Sequence, residues 1–361
     1  MRTQWLLAVG SLFVLGVGVV AAPTQPEKKN EPKKEAESKP LDRVLPGLRK
    51  DGFVQLPNQW SLKPAGRHVE TGDFPVNIAI HPTGEFVAVL CAGFGAHEIV
   101  IVDTNAQRTQ VISRVQVRQA FYGLTWSTDG KHIFASGGED ELVHVFDFDK
   151  GYLTKGKPLD VAVPKKKGVI GGLAFDPNGK DLFVANTWAD AVVRVPLVNP
   201  ENKKIITFTP APAKKEPGKG EPPSPPDGRK EEKVAAKVQE DEKKAPEPQV
   251  YPYTCLVEPG AKRCFVSLWA RAGVAVIDLD KNEVVATWPT AEHPTEMVLS
   301  PKGDALYVAC ANSTKVSVID PANGKPLQTI NCALYPNALS GNTPNSLALT
   351  PDGQMLFVAN A

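Results

Sequence analysis

The chain of 361 residues has no excess charge of either sign: 41 lysines and arginines against 40 acidic residues leave +1. A balance so close to zero steers neither a nucleic acid nor an anionic membrane surface, and no nucleic-acid partner is expected. Methionine is scarce at three, and aromatics make up only 7%. Metal-ligand spacings are missing: His68, His81, His97, His132, His144 and His293 form no HxH, HExxH or Cys-x-x-Cys pattern, so no metal is expected. Likewise no G-x-S-x-G, P-loop or paired acid–base motif occurs, so no cofactor or catalytic residue is assigned. Proline and glycine are plentiful, at 33 and 29. They favour many short elements joined by turns over long helices, and the expected class is all-β.

One long apolar run stands at the start, residues 5–20, behind Arg2 and ahead of Ala21 and Ala22. Its sixteen residues fall short of the about 20 that span a bilayer, and the pattern is that of an export signal over residues 1–22. Export implies a periplasmic, cell-surface or secreted protein, with contact to the membrane only if the signal is kept as an anchor. The five cysteines would then meet an oxidising compartment. Residues 23–45 and 209–248, crowded with Lys, Glu and Pro, hold too little apolar surface to order themselves. They are expected as solvated linkers, the second interrupting a domain that covers residues 46–361.

Within that domain one pattern recurs six times. The copies read IAIHPTGEFVAVL from Ile78, LTWSTDGKHIFAS from Leu124, LAFDPNGKDLFVA from Leu173, CLVEPGAKRCFVS from Cys255, MVLSPKGDALYVA from Met297 and LALTPDGQMLFVA from Leu347. Two alternating apolar strands flank a turn whose glycine, Gly84, Gly130, Gly179, Gly303 or Gly353, supplies positive φ; the fourth copy has Ala261 there. A third strand ends in Asp103, Asp147, Asp278 or Asp320, placed to accept amide hydrogens of the next turn, whereas Pro196 makes the third copy differ. A more polar fourth strand follows, as in 283–288 and 326–330. Four antiparallel strands per forty-odd residues make a propeller blade, with both sheet faces covered by neighbours. Pro75, Pro252, Pro294 and Pro344 lie seven residues before their copies' turn prolines and mark the crossing into each innermost strand.

The combination P-x-x-h-x-h-x-P-x-G-x-x-h-[FY]-V-A followed by V-x-V-I-D, clearest in 294–320 and 344–360, resembles the YVTN-type propeller repeat. The resemblance covers about residues 74–361 outside the insert. It implies an exported, usually seven-bladed ring related to lactonase-like propellers, and some similar proteins carry an alkaline-phosphatase-type phosphoesterase domain after it. Six innermost strands are countable and the sixth copy stops after two strands, so the expectation is an incomplete ring, with residues 66–71 as an outermost strand for a last blade.

Candidate site residues follow from this frame. Asn77, Thr254, Glu296 and Ser346, two past the crossing prolines, with Gly123 and Gly172 at matching places, should gather at the mouth of the central channel, either to hold a ligand or to satisfy strand-end backbone groups. Cys255 and Cys264 flank a turn and are expected to face each other, as a disulfide or as two small buried hydrophobes. Cys91 and Cys310 are expected in the core, and His81 and His144 as ordinary surface or half-buried residues. The expected function is a monomeric binding or scaffolding module for an unidentified protein or small molecule. The alternatives are the non-catalytic part of a phosphoesterase fusion or a lactonase-like enzyme.

Overall fold

The computed structural model describes residues 44–58, 60–63, 67–105, 107, 109–208, 249–333, 335 and 341–360. The export signal, most of the first linker and the whole 209–248 insert lie outside them. Two compact units are present, Val9–His68 and a larger one that includes Val69–Ala361. The described part of the smaller unit is a three-stranded antiparallel sheet of Gly47–Leu48, Val54–Gln55 and Ser61–Leu62. Trp60 and Ser61 are tied to Gln55 by hydrogen bonds.

The larger unit is a β-propeller, whose described residues form six successive antiparallel sheets. Blade one pairs Pro75–Ile80, Phe86–Cys91, Glu98–Asp103 and Gln110–Gln116 in chain order. Blades three, four and five repeat that order, with innermost strands Ile170–Phe175, Pro252–Val257 and Pro294–Leu299. Blade two begins at Leu124–Trp126 and carries an added two-residue strand, Leu159–Asp160, on its third strand. Blade six shows Pro344–Leu349 and Leu356–Asn360. Every crossing proline is the first residue of its innermost strand. A proline fits there because its missing N–H falls where the ladder has not yet begun.

Alternation along the middle strands buries both faces in blades three and four. In blade three, Phe183 and Ala185 join a cluster with Cys255, Val257, Cys264 and Val266 of blade four. Their neighbours Leu182 and Val184 turn the other way, to Phe134 and Val143 of blade two. Similar clusters join blades one and two and blades four and five. The core is therefore a series of inter-sheet layers, each worth on the order of 25 cal/mol per Å² of apolar surface removed from water.

The turns behave as their residues dictate, and four expectations are corrected. All five turn glycines have positive φ, from 66° to 75°, and Ala261 is forced to φ 51°. Asp103, Asp278 and Asp320 accept amide hydrogens from Asn105, Asp280 and Ala322. Asp147 does not end its strand, which runs to Asp149, and it faces His132 instead. After Pro196 the chain makes a 3-10 turn at Pro200–Asn202 in place of the Asp-capped one. No strand forms over residues 67–71; Arg114 donates to the carbonyls of Glu70 and Thr71 and Val69 packs on blade one, which spends that backbone without a ladder.

Register is the third correction. The loop at His81 is closed by His81 N to Phe86 O, so Ile80 pairs with Val87 and Ile78 with Val89. Cys255 accordingly pairs with Val266, and Cys264 with Val257. The two cysteines are diagonal rather than directly opposed, and both are buried free thiols in contact: the hydrogen bond with Cys264, then burial, raises the Cys255 thiol well above its usual range. Cys91 and Cys310 are fully buried, as expected. Fourth, His81 and His144 are buried rather than surface or half-buried: His81 bonds Thr83 Oγ1 and Gly130 O, and His144 bonds Gln119 O.

Candidate functional site

Five of the six innermost strands, in blades one and three to six, open with a register shift, between Pro75 and Asn77, Ile170 and Leu173, Pro252 and Cys255, Pro294 and Met297, and Pro344 and Ser346. Such a bulge leaves one residue unpaired and re-aims its side chain. It lies where the sequence places its ring of candidates, because the crossing proline cannot donate to the ladder and the strand starts irregularly.

The individual residues divide. Asn77 spends its side chain on backbone: Nδ2 donates 2.8 Å to Tyr122 O, and Oδ1 accepts Ile78 N at 2.7 Å. Thr254 is buried, its amide donating to Ser267 Oγ at 3.2 Å. Gly172 is packed so closely on Thr254 that a Cβ has no room there, and Gly123 N is held by Ser136 Oγ. Ser346 is exposed in blade six. Glu296 is the member placed to meet other chemistry. Its carboxylate accepts the hydroxyl of Tyr122, a bond from blade two to blade five that spans the region between the innermost strands. The Tyr122 and Tyr253 rings lie 4.8 Å apart at 42°.

Burial pushes the Glu296 carboxyl above its ordinary range, against the hydrogen bonds of Tyr122 and the Met297 amide, which pull it down. Burial, followed by the negative charge of Glu296, raises both phenols, Tyr122 the more strongly coupled by its hydrogen bond. At neutral pH both tyrosines are therefore O–H donors. The cluster offers two hydroxyls, one carboxyl and an aromatic wall. Among the described residues no group of His, Cys, Asp or Glu is arranged to hold a metal ion.

Tyr122 and Tyr253 were not among the candidates expected from sequence. They stand one position before Gly123 and Thr254, so a ring counted one residue earlier would have included them. GGED at Gly137 is a turn, closed by Gly137 N to Leu142 O, with Asp140 salt-bridged to Arg118.

The chain matches no protein-family model and no curated protein by sequence. Solved structures do resemble it. Hydrazine synthase of Kuenenia stuttgartiensis aligns with TM-score 0.57 and 17% identity over 82% of this chain and 76% of that one. The periplasmic gluconolactonase PpgL of Pseudomonas aeruginosa aligns with TM-score 0.57 and 17% identity, covering 79% and 78%. A 6-phosphogluconolactonase candidate from Bacteroides uniformis aligns with TM-score 0.58 and 15% identity over 85% and 83%. At these identities the likeness establishes the propeller fold alone.

Proposed function

We propose that this is an exported, YVTN-type propeller that binds a small neutral, hydroxyl-bearing molecule at the Tyr122, Tyr253 and Glu296 cluster. The observation that carries the reading is the hydroxyl-to-carboxylate bond from blade two to blade five, which draws donors, an acceptor and ring faces to one place. A ligand with several hydroxyls can replace that bond by equivalent ones and lay its C–H surface against a ring. Tyr253 makes no hydrogen bond through its hydroxyl among the described residues and is the donor that a ligand would engage first.

Lactone hydrolysis is the second reading, favoured by the propellers of PpgL and the Bacteroides protein. Glu296 would take a proton from water as its oxygen adds to the lactone carbonyl, a tyrosine hydroxyl would steady the developing oxyanion, and the ring oxygen would leave with that proton. Against it, none of the three side chains in the cluster is a cation able to hold a carboxylate product.

Calorimetric titration of the whole chain with glucose and with glucono-δ-lactone, beside a pH-stat assay of lactone opening, separates the readings. Saturable binding abolished by Tyr253→Phe, without turnover above buffer, is the expected result. Turnover lost in Glu296→Gln establishes the enzyme reading, and neither binding nor turnover rejects both.

A further inference from the structure

A second feature lies away from the axial cluster, where blade three meets blade four. An open cleft of about 590 Å³ is lined by Lys166, Lys167, Trp188, Asp190, Gln249 and Tyr251. Trp188 is 53% exposed although it stands in the four-residue turn 187–190 between two buried strands. That turn is held unusually firmly. Ala189 N donates to Asn186 Oδ1, Lys166 Nζ to Ala189 O at 3.0 Å, and Asp190 Oδ1 accepts both Val250 N and Tyr251 N at 3.0 Å. Asp190 and Tyr251 both adopt positive φ, 48° and 50°, a conformation that non-glycine residues keep only where their surroundings hold them in it. Tyr251 is further braced edge-on by Trp269, 6.2 Å away.

A rigid turn that keeps an indole in water and a braced phenol beside it gives contact area with little entropy left to lose. The charges narrow the ligand. Lys166 and Lys167 form no salt bridge among the described residues. Asp190 Oδ1 is committed to backbone, which leaves Oδ2, with the Gln249 amide, to meet hydroxyls. We propose that this cleft binds an acidic saccharide: a pyranose ring face on Trp188, hydroxyls on Asp190 and Gln249, and a uronate carboxylate on the lysine pair. A nucleic-acid strand shares the stacking and the lysines, but the Asp190 carboxylate in the wall and the near-neutral chain oppose a row of phosphates. This site does not depend on the axial reading.

The test is titration of the full chain with trigalacturonate, maltotriose and a short single-stranded DNA, followed by tryptophan fluorescence and calorimetry. Trigalacturonate should bind, more weakly as salt rises; Trp188→Ala should weaken it about tenfold or more, and Lys167→Gln severalfold. Glu296→Gln, which does not line the cleft, should leave that affinity unchanged, so failure of the axial proposal and of this one can be told apart. Both cleft side chains replaced are exposed, and retained thermal unfolding confirms that the variants fold. The proposal is overturned if trigalacturonate does not bind at about 10 mM, a concentration that detects even millimolar interactions. Equal binding by Trp188→Ala, or maltotriose or DNA binding as tightly as the uronate, overturns it too.

Discussion

At residue scale the repeat isolates single substitutions that its own copies explain. Ala261 occupies the turn position held by glycine in the other five copies and is driven to φ 51°. Ala261→Gly should therefore raise unfolding free energy by about 1 kcal/mol, the relief of left-handed strain less the entropy glycine adds to the unfolded chain, read from urea denaturation. The opposite change is penalised twice at Gly130: φ is 72°, and an added Cβ meets the His81 ring. That contact also explains why His81 is buried. Its ring is seated under the next blade's turn, against Trp126 at 4.8 Å and Phe148 at 5.2 Å, a packing role unrelated to metal. Cys255 and Cys264 show how far a two-residue register shift carries: the same residues become diagonal neighbours instead of cross-strand partners.

At the scale of elements, blades two to four are sheets packed on both faces by their neighbours, and the joints between blades need polar ties as well as apolar layers. Arg194 on the third strand of blade three supplies one. Its guanidinium holds Asp181 Oδ2 at 2.6 and 2.8 Å, reaches Leu279 O at 2.6 Å and Asn282 Oδ1 at 2.9 Å in blade four, and lies over the Phe183 ring. Arg263 repeats the device between blades four and five, pairing with Glu258 and donating 2.6 Å to Pro321 O. Both sites keep partial exposure, which screens the pairs. Replacing Arg194 by Leu keeps bulk but strands Asp181 and a carbonyl. A loss of about 1–3 kcal/mol is expected in denaturant unfolding, below the cost of a fully buried pair. Strand direction, turn position and the apolar alternation were legible because they depend on residues within a dozen positions of one another. The bulges were not, since they arise where a crossing strand must join a sheet already in place.

At the scale of the whole molecule, most contacts between blades among the described residues join neighbours, and Tyr122 reaches further, to the Tyr253 ring of blade four and the Glu296 carboxylate of blade five. Glu296 also gives the molecule a pH dependence with a definite sign. Burial raises the Glu296 carboxyl, so the folded chain keeps that proton at pH values where the unfolded chain, with an ordinary carboxyl near pH ~4.3, has lost it. Stability from this group is complete below that range and declines as pH rises through the raised value. Glu296→Gln, which still accepts the Tyr122 hydroxyl, should melt higher than the parent at pH 7, with the gap closing toward pH 4 in a calorimetric series. By itself the amino-acid sequence determined an all-β propeller, its blade order, its turn glycines and the neighbourhood of Glu296, because each follows from local spacing and the period of alternation. Only the tertiary structure decided that Tyr122 and Tyr253 join Glu296, that Trp188 and the two lysines line one cleft, and that the paired cysteines are offset. Those juxtapositions depend on how separate sheets pack and on bulges and loop lengths that shift register, and no local pattern encodes such distances.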